Sequence, residues 1–309
     1  MQIEPSEIPG DASGPPGPRL FDPVALATKT EKAICREKRR KYSRFGWTIN
    51  YGTGIATGYA VGCCLRCVFC WASQTRDNLE EPSDFYSPEE VFDRLSRIAR
   101  EKGTDQVRIS DGEPTIGKEH LLDVLDLVEA SPIQRFVLET NGILLGADPE
   151  YVPSLAQYSK LYVRVSVKAG TPEDFSRKTG AVPEAFDLPF QGIQRLKDHG
   201  VSFRVAAMSA DPRFMSPLER VALIGRLATI DPAVALGLEE EMTVLYPDTI
   251  RRLRHVGWYS DGEDRHFLQN VPLLSRIVQV SYPRVKCLGK RRISVRYTWK
   301  AIRELFHGT

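Results

Sequence analysis

The sequence predicts an α/β protein built on a parallel sheet, and three observations support that prediction. Six segments rich in β-branched residues alternate with segments whose apolar residues recur at helical spacing. Alternation of this kind gives parallel strands joined by right-handed crossovers. Polar and sulfur-bearing residues follow several of the predicted strands, where the loops of a parallel sheet form binding sites.

The N-terminal part precedes this alternation. Residues 1–20 are rich in proline and glycine and predict a flexible leader without a buried core. A helix is predicted over 24–42, so that 21–48 forms a basic helical extension ending in the charge run 36–41. Such a run is typical of a solvated helix face, and a surface for nucleic acid or an acidic partner is the alternative.

The alternating elements occupy residues 49–246. The first strand is predicted within 49–61, and Ser87, Pro88 and Glu90 then form a capping box that begins a helix ended by Gly103. The other predicted strands are 106–110, 134–140, 160–168, 201–208 and 233–245, and the other predicted helices are 118–130, 149–158, 172–179, 184–199 and 216–229.

The alternation stops near residue 246, so 247–309 is predicted to be a C-terminal extension. This segment mixes arginines with aromatic residues, a pattern that can bind RNA by stacking and phosphate contacts. No RNA-binding motif accompanies it. We therefore expect the extension to cover the open side of the sheet.

Composition places the chain among ordinary globular proteins. Its 309 residues are 42% hydrophobic and 27% charged, with a net charge of +2. No apolar run approaches the roughly 18 residues of a membrane helix, and the acidic, proline-rich N-terminus is unlike a signal peptide. We expect a cytoplasmic protein with reduced thiols and no membrane partner.

Four of the six cysteines fall between residues 63 and 70. Cys63, Cys67 and Cys70 have the spacing Cys-x3-Cys-x2-Cys, and thiolates crowded on one loop favour an iron–sulfur cluster. Three thiolates leave one iron of a four-iron cluster open to a group that is not protein. Cys64 is interpreted as a neighbour that fills space.

Two other interpretations of the cysteines stay open. A zinc-stabilised binding module would need a second ligand pair, and the five histidines stand singly. A non-radical iron–sulfur electron carrier would need Cys64 or Cys35 as a fourth ligand.

The cysteine motif, with Phe69 before its last cysteine, resembles the radical S-adenosylmethionine (radical SAM) superfamily. The resemblance implies a [4Fe–4S] cluster on Cys63, Cys67 and Cys70, and S-adenosylmethionine as a second cofactor. It implies reductive cleavage of that cofactor to a 5′-deoxyadenosyl radical, which abstracts hydrogen from a substrate. It also implies a partial (β/α)6 TIM-type barrel over 49–246 and a reducing partner of flavodoxin or ferredoxin type.

The next motif follows the second predicted strand. The sequence from Asp111 to Pro114 is by itself typical of a turn. It resembles the Gly-Gly-Glu-Pro segment with which the family binds the amino group of S-adenosylmethionine. That resemblance implies cofactor-binding roles for Gly112 and Glu113, whereas Asp111 stands where the family has glycine.

Further candidates follow the third and fourth predicted strands. Glu139 and Thr140 resemble part of the Asp-Thr-Asn-Gly segment of glycyl-radical activases, such as the pyruvate formate-lyase activating enzyme. Lys168 matches the lysine of their Asp-x-Lys segment, with Ser166 in place of the acid. Strand alternation puts Ser166 and Lys168 on the face that points inward. The predicted cofactor-binding residues are thus Phe69, Gly112, Glu113, Glu139, Thr140, Ser166, Lys168 and, on the fifth strand, Arg204.

These resemblances favour a radical enzyme that activates a protein. A tRNA-modifying radical enzyme is the alternative within the family, because residues 112–115 and 67–71 also resemble the wybutosine-synthesis enzyme. The sequence leaves open whether the substrate is a protein, a small molecule or RNA.

Overall fold

The computed structural model describes residues 20–49, 54–80, 84–211, 213–241 and 245–258. The predicted leader, apart from Leu20, and the tail from residue 259 lie outside the described residues. The predictions made for those two segments therefore stay predictions.

The described residues form one nine-stranded sheet surrounded by helices. The strands are β1 (Cys35–Arg36), β2 (Arg39–Thr48), β3 (Ile55–Ala60), β4 (Asp84–Tyr86), β5 (Gln106–Ser110), β6 (Arg135–Thr140), β7 (Leu161–Val167), β8 (Phe203–Ala207) and β9 (Glu239–Glu240). The α-helices are α1 (Pro23–Ile34), α2 (Ser73–Asp77), α3 (Pro88–Lys102), α4 (Lys118–Glu129), α5 (Ile143–Ala147), α6 (Tyr151–Leu155), α7 (Pro172–Thr179), α8 (Leu188–Asp198), α9 (Pro217–Ile230), α10 (Pro232–Leu236) and α11 (Pro247–His255). A 3₁₀ turn at Pro183–Asp187 precedes α8.

The parallel part of the sheet has six strands, as the sequence predicts. The order is β1-β2-β3-β5-β6-β7-β8-β9, and the six strands from β3 onward pair in parallel. β1, β2 and β4 are antiparallel additions before the first parallel strand. Among the described residues the parallel series does not close on itself, which confirms a partial TIM-type barrel.

Local sequence signals explain where helices begin. Ser87 accepts a hydrogen bond from the Glu90 amide while the Glu90 carboxylate accepts one from the Ser87 amide, so the predicted capping box is present. Gly103 ends α3 in the left-handed conformation. The core lies between the helices and the strand residues that face them, for example the fully buried Val163 and Val165 of β7.

The N-terminal prediction was wrong beyond residue 34. The helix ends at Ile34, and residues 39–48 form β2, which pairs with β3. Arg40 and Tyr42 are buried while their neighbours are more exposed, and that two-residue period is the period of a strand. The basic run therefore lies on β1, the turn after it and the start of β2, not on a helix; residues 36–39 are exposed as predicted, whereas Arg40 is 1% exposed.

Several other boundaries also differ from the prediction. The sixth strand was predicted over 233–245, but residues 232–236 form α10, and of the described residues in that range only Glu239–Glu240 are a strand. Asp231 caps that helix by accepting from the Ala233 amide, and Pro232 suits its first position. The helix predicted over 149–158 is the shorter α6, and α5 precedes it.

No helix within the described ranges has the length and apolar character needed to span a membrane.

Candidate active site

A cavity of about 510 Å³ lies where the loops after β3, β5, β6 and β7 meet. Such a position follows from parallel strands, whose carboxyl ends lie at one side of the sheet. Ten of the predicted site residues line it: Cys63, Cys67, Phe69, Cys70, Gly112, Glu113, Glu139, Thr140, Ser166 and Lys168. Arg204, paired in register with Arg164 on the neighbouring strand, is not among the lining residues.

The cysteine loop is fixed by backbone hydrogen bonds to two helical segments. The Gly62 amide donates to the carbonyl of Thr75 in α2 at 2.8 Å. The Arg66 and Val68 amides donate to the carbonyls of Thr179 and Lys178 at the end of α7, each at 2.9 Å. Backbone hydrogen bonds from α2 and α7 therefore hold the loop from both sides.

Three guanidinium groups contact the carbonyls of the three cysteines. Arg66 donates to the Cys63 carbonyl at 2.9 Å, Arg76 donates to the Cys67 carbonyl at 2.8 Å, and Arg252 of α11 donates to the Cys70 carbonyl. Burial raises the pKa of the Cys67 thiol to about 12, and the positive charge of Lys168 opposes that shift. Cations at these positions favour the thiolate form that a metal requires.

The loop after β5 is joined directly to the cysteine loop. The Glu113 amide donates to the Gly62 carbonyl at 2.7 Å. A side chain at Gly112 would place its Cβ 2.3 Å from the same oxygen, so only glycine fits there. From β2, Arg40 donates to the carbonyls of Val61 at 3.3 Å and Glu113 at 2.9 Å, and thereby holds both loops.

The Glu113 carboxylate is engaged inside the protein. Its Oε1 accepts from the Thr115 amide at 3.1 Å and from the hydroxyls of Thr115 at 2.6 Å and Thr140 at 2.7 Å. Its Oε2 accepts from the Asn141 amide at 2.7 Å. Glu113 thus ties the loop after β5 to the end of β6, and its predicted contact with the cofactor stays a prediction.

Cys64 is not among the residues that line the cavity. Its sulfur accepts a hydrogen bond from the Asn141 side-chain amide at 3.2 Å, and it is fully buried. A hydrogen bond from the Cys64 thiol lowers the pKa of Cys63. Cys64 therefore contacts the predicted ligand Cys63 without lining the cavity itself.

Polar side chains of β5, β6 and β7 form an ionic network along the cavity wall. Glu139 pairs with Arg108 at 3.0 Å and accepts from the Ser110 hydroxyl. Arg164 pairs with Glu241 at 2.8 Å, just after β9. Arg108, Ser110 and Glu241 were not predicted as site residues. The two-residue spacing of Gln106, Arg108 and Ser110, which alternate with Val107 and Ile109, was the signal that could have found Arg108 and Ser110.

Lys168 stands apart from this network. Its ammonium donates to the Ser166 hydroxyl at 2.7 Å, and no carboxylate of the described residues forms an ion pair with it. A cation that borders the cysteines and has a hydroxyl as its partner is suited to bind an anionic ligand group.

The cysteines fit an iron–sulfur cluster. Cys63, Cys67 and Cys70 are free thiols that line one cavity. In the part of the chain that the structure describes, no three His, Cys, Asp or Glu side chains converge on a single metal position. Their chemistry agrees with a cluster, because each thiolate of an iron–sulfur cluster binds a different iron.

Fold and cavity together define an iron–sulfur enzyme with a partial barrel and a cysteine loop after its first parallel strand. Residues 59–209 match the family described as the Radical SAM superfamily. The chain therefore contains a radical SAM domain, and the cofactors of that superfamily are a [4Fe–4S] cluster and S-adenosylmethionine.

Individual relatives are similar over part of the chain. The GTP 3',8-cyclase of Haemophilus influenzae is 28% identical over 138 residues, which are 45% of this chain and 39% of that protein. The GTP 3',8-cyclase of Geobacter sulfurreducens is 26% identical over 216 residues, which are 70% of this chain and 60% of that protein. The chain thus spans less than two thirds of the length of either relative.

A solved structure is also similar. The crystal structure of HydG, a maturase of the [FeFe]-hydrogenase, has a TM-score of 0.49 and 14% identity, and the match covers 67% of this chain and 50% of that chain.

Proposed function

We propose that this chain uses its cysteine-bound cluster to cleave S-adenosylmethionine reductively, and that the resulting 5′-deoxyadenosyl radical abstracts hydrogen from a substrate. One observation carries the proposal: Cys63, Cys67 and Cys70 line the same cavity as Gly112, Thr140 and Lys168. The chain's own part is to hold the cluster by three thiolates, to bind both ends of the methionine and to limit the access of water.

The test is anaerobic reconstitution with iron and sulfide, followed by reduction with S-adenosylmethionine present. We expect 5′-deoxyadenosine from the wild type and none from Cys67→Ala. Cys35→Ser is the matched control, because Cys35 does not line the cavity. A brown protein that binds no S-adenosylmethionine would contradict the proposal and favour an electron carrier.

For the substrate, we propose a small molecule that carries an anionic group, such as a nucleotide. Arg44 lines the cavity from β2, and its guanidinium lies 4.3 Å from the centre of the Tyr59 ring. No described residue gives Arg44 a carboxylate partner. Trp71 and Tyr246 also line the cavity and are 39% and 49% exposed, so aromatic faces are available to a base. The similarity to GTP 3',8-cyclases favours GTP as the first compound to try.

Arg44→Gln tests this substrate class. We expect it to raise the KM for an anionic substrate about 10-fold or more and to leave the slow cleavage of S-adenosylmethionine without substrate unchanged. Arg94→Gln is the matched control, because Arg94 makes the same kind of contact with Tyr86 at 4.7 Å outside the cavity. Deuterium transfer from ribose-deuterated GTP into 5′-deoxyadenosine would identify GTP as the hydrogen donor.

Protein activation is the second candidate. It is favoured by Thr140 and Lys168, which line the cavity at the positions where the sequence resembles glycyl-radical activases. Deuterium transfer from a glycine-deuterated protein, with none from nucleotides, would establish it.

We also propose a flavodoxin or ferredoxin as the electron donor, since cleavage of S-adenosylmethionine needs a low-potential electron. An oxygen-sensitive cluster requires reducing conditions, which is why the cytoplasm stays the proposed location. Replacement of dithionite by a reduced flavodoxin in the same assay tests the donor.

A further inference from the structure

The side chain of Asn141 is held in one orientation beside the cysteine loop. Its Oδ1 accepts a hydrogen bond from the Ile143 amide at 3.0 Å, and its own backbone amide donates to the Glu113 carboxylate at 2.7 Å. Only the oxygen of a side-chain amide can accept from an N–H group, so the NH2 group must form the other end. Asn141 is 5% exposed. The protein thus holds a buried NH2 donor in a fixed place.

That NH2 group contacts the sulfurs of two adjacent cysteines. The Nδ2 atom of Asn141 lies 3.2 Å from Cys64 Sγ and 3.8 Å from Cys63 Sγ. Because an NH2 group has two hydrogens, it can donate to both sulfurs. The Leu65 backbone amide also donates to Cys63 Sγ, at 3.4 Å. The sulfur of one predicted cluster ligand therefore accepts hydrogen bonds from a side chain and from the backbone.

Cys64 connects Asn141 to Cys63 a second time. Its sulfur accepts from the Asn141 amide, and its thiol donates a hydrogen bond to Cys63. Hydrogen bonds arranged in such a chain polarise one another, so each donor in it becomes stronger. The Asn141 amide therefore acts on Cys63 both directly and through the Cys64 thiol.

Hydrogen bonds to a ligand sulfur affect how readily an iron–sulfur cluster accepts an electron. Reduction adds one negative charge, which the cluster shares with its thiolate ligands. Donors that contact those sulfurs stabilise the added charge, since a hydrogen bond to an ionised acceptor is stronger than one between neutral groups. The reduction potential of a cluster is therefore set in part by the hydrogen bonds to its sulfurs.

We propose that Asn141 and Cys64 act as paired hydrogen-bond donors to Cys63 and thereby raise the reduction potential of the cluster. The inference rests on the proposed function, because it requires a cluster bound to Cys63. It gives Cys64 a role beyond filling space. Both are positioning residues, because they act on the group that accepts the electron through the Cys63 sulfur.

The experiment measures the reduction potential of the anaerobically reconstituted cluster, by dithionite titration followed with electron paramagnetic resonance and without S-adenosylmethionine. Cys64→Ala removes the thiol donor. Asn141→Asp keeps the oxygen that accepts from Ile143 and replaces the NH2 group with oxygen. We expect each variant to lower the equilibrium constant for reduction about 10-fold, as for loss of a hydrogen bond to a charged group. For one electron, that is a potential about 59 mV more negative.

Two control variants complete the design. Cys64→Ser keeps a hydroxyl that can donate to Cys63, so its potential should lie between those of the wild type and Cys64→Ala. Cys35→Ser changes a thiol that does not line the cavity, and it should leave the potential unchanged. The iron content of every variant is measured beside the potential, and we expect it to equal that of the wild type.

The outcomes separate this inference from the proposed function. Equal potentials for the wild type, Cys64→Ala and Asn141→Asp would overturn the inference, and so would a shift in Cys64→Ser as large as that in Cys64→Ala. Loss of iron in Cys64→Ala would make Cys64 a ligand and overturn its assignment as a donor. A wild type that assembles no reducible cluster would contradict the proposed function itself.

Discussion

At the scale of single residues, the Asp111 carboxyl group makes the stability of the folded protein depend on pH, and the direction of its pKa shift fixes the sign of that dependence. Its pKa is about 7 in the folded protein against 3.8 as the ordinary value. An unfolded chain therefore loses this proton near pH 4, whereas the folded protein keeps it until about pH 7. Stability from this group is present below pH 4 and is lost as the pH rises through 7.

We expect Asp111→Asn, which cannot ionise, to gain stability relative to the wild type as the pH rises from 5 to 7. The gain should be at most about 1.4 kcal/mol per pH unit and level off above pH 7. Urea unfolding of both cluster-loaded proteins at several pH values measures it. If the free energies of unfolding of the wild type and Asp111→Asn changed with pH in parallel, Arg44 and Arg108 would be keeping the Asp111 carboxyl charged over the whole pH range.

Glu113 gives the second prediction at this scale. Four donors meet its carboxylate, from Thr115, Thr140 and the Asn141 amide. In Glu113→Gln an amide NH2 would face one of those donors, so we expect a loss of about 2–4 kcal/mol in the free energy of unfolding. Urea unfolding checks the loss, with the exposed Glu119→Gln as the control. A change equal to that of the control would mean that the loops rearrange at little cost.

At the scale of elements, α11 covers the cysteine loop. Arg252 donates to the carbonyls of Cys70 and, at 3.4 Å, of Val68. We expect Arg252→Ala to let the loop open more often, so that air bleaches the cluster about 10-fold faster, as loss of one to two hydrogen bonds predicts. The visible absorbance of the cluster in air measures the rate.

Arg251→Ala is the control for that measurement, since the Arg251 side chain is 80% exposed and pairs only with Asp248 among the described residues. Equal bleaching rates for the two variants would mean that α11 does not protect the loop.

Element types were predictable where local signals and burial agree. The capping box at Ser87 and the alternation of β7 depend on adjacent residues, and both were placed correctly. Arg40 shows why the N-terminal prediction failed. Arginine is normally a surface residue, so its sequence context predicts exposure. Arg40 is buried because it donates to the carbonyls of Val61 and Glu113, which are distant in sequence. The sixth predicted strand was wrong because β9 is two residues long and follows α10, a helix that Asp231 caps and Pro232 begins.

The candidate site likewise contains residues that could be predicted from the sequence and residues that could not. Cysteine spacing and the residues at strand ends brought ten predicted positions to one cavity. Arg44 could not be predicted, because it reaches the cavity from an antiparallel strand that the alternation of helices and strands does not reveal.

For the whole molecule, cofactor binding should be linked to stability. S-Adenosylmethionine at 100 times its Kd should stabilise the cluster-loaded protein by about 2.7 kcal/mol. The cluster-free protein should gain less, because the open iron supplies part of the binding energy. Thermal unfolding under anaerobic conditions, with and without the cofactor, measures both shifts. Equal shifts would show that S-adenosylmethionine binds through the protein side chains alone.

The support that β2 gives to the cysteine loop limits how this enzyme could be divided. The family match begins at residue 59, but Arg40, which holds the loops after β3 and β5 together, lies nineteen positions before it. A fragment cut at that boundary would keep every predicted cluster ligand and lose the side chain that aligns the two loops. The smallest portable unit of this protein therefore begins before the boundary of its family domain, and grafts onto another scaffold should include β2, which carries Arg40.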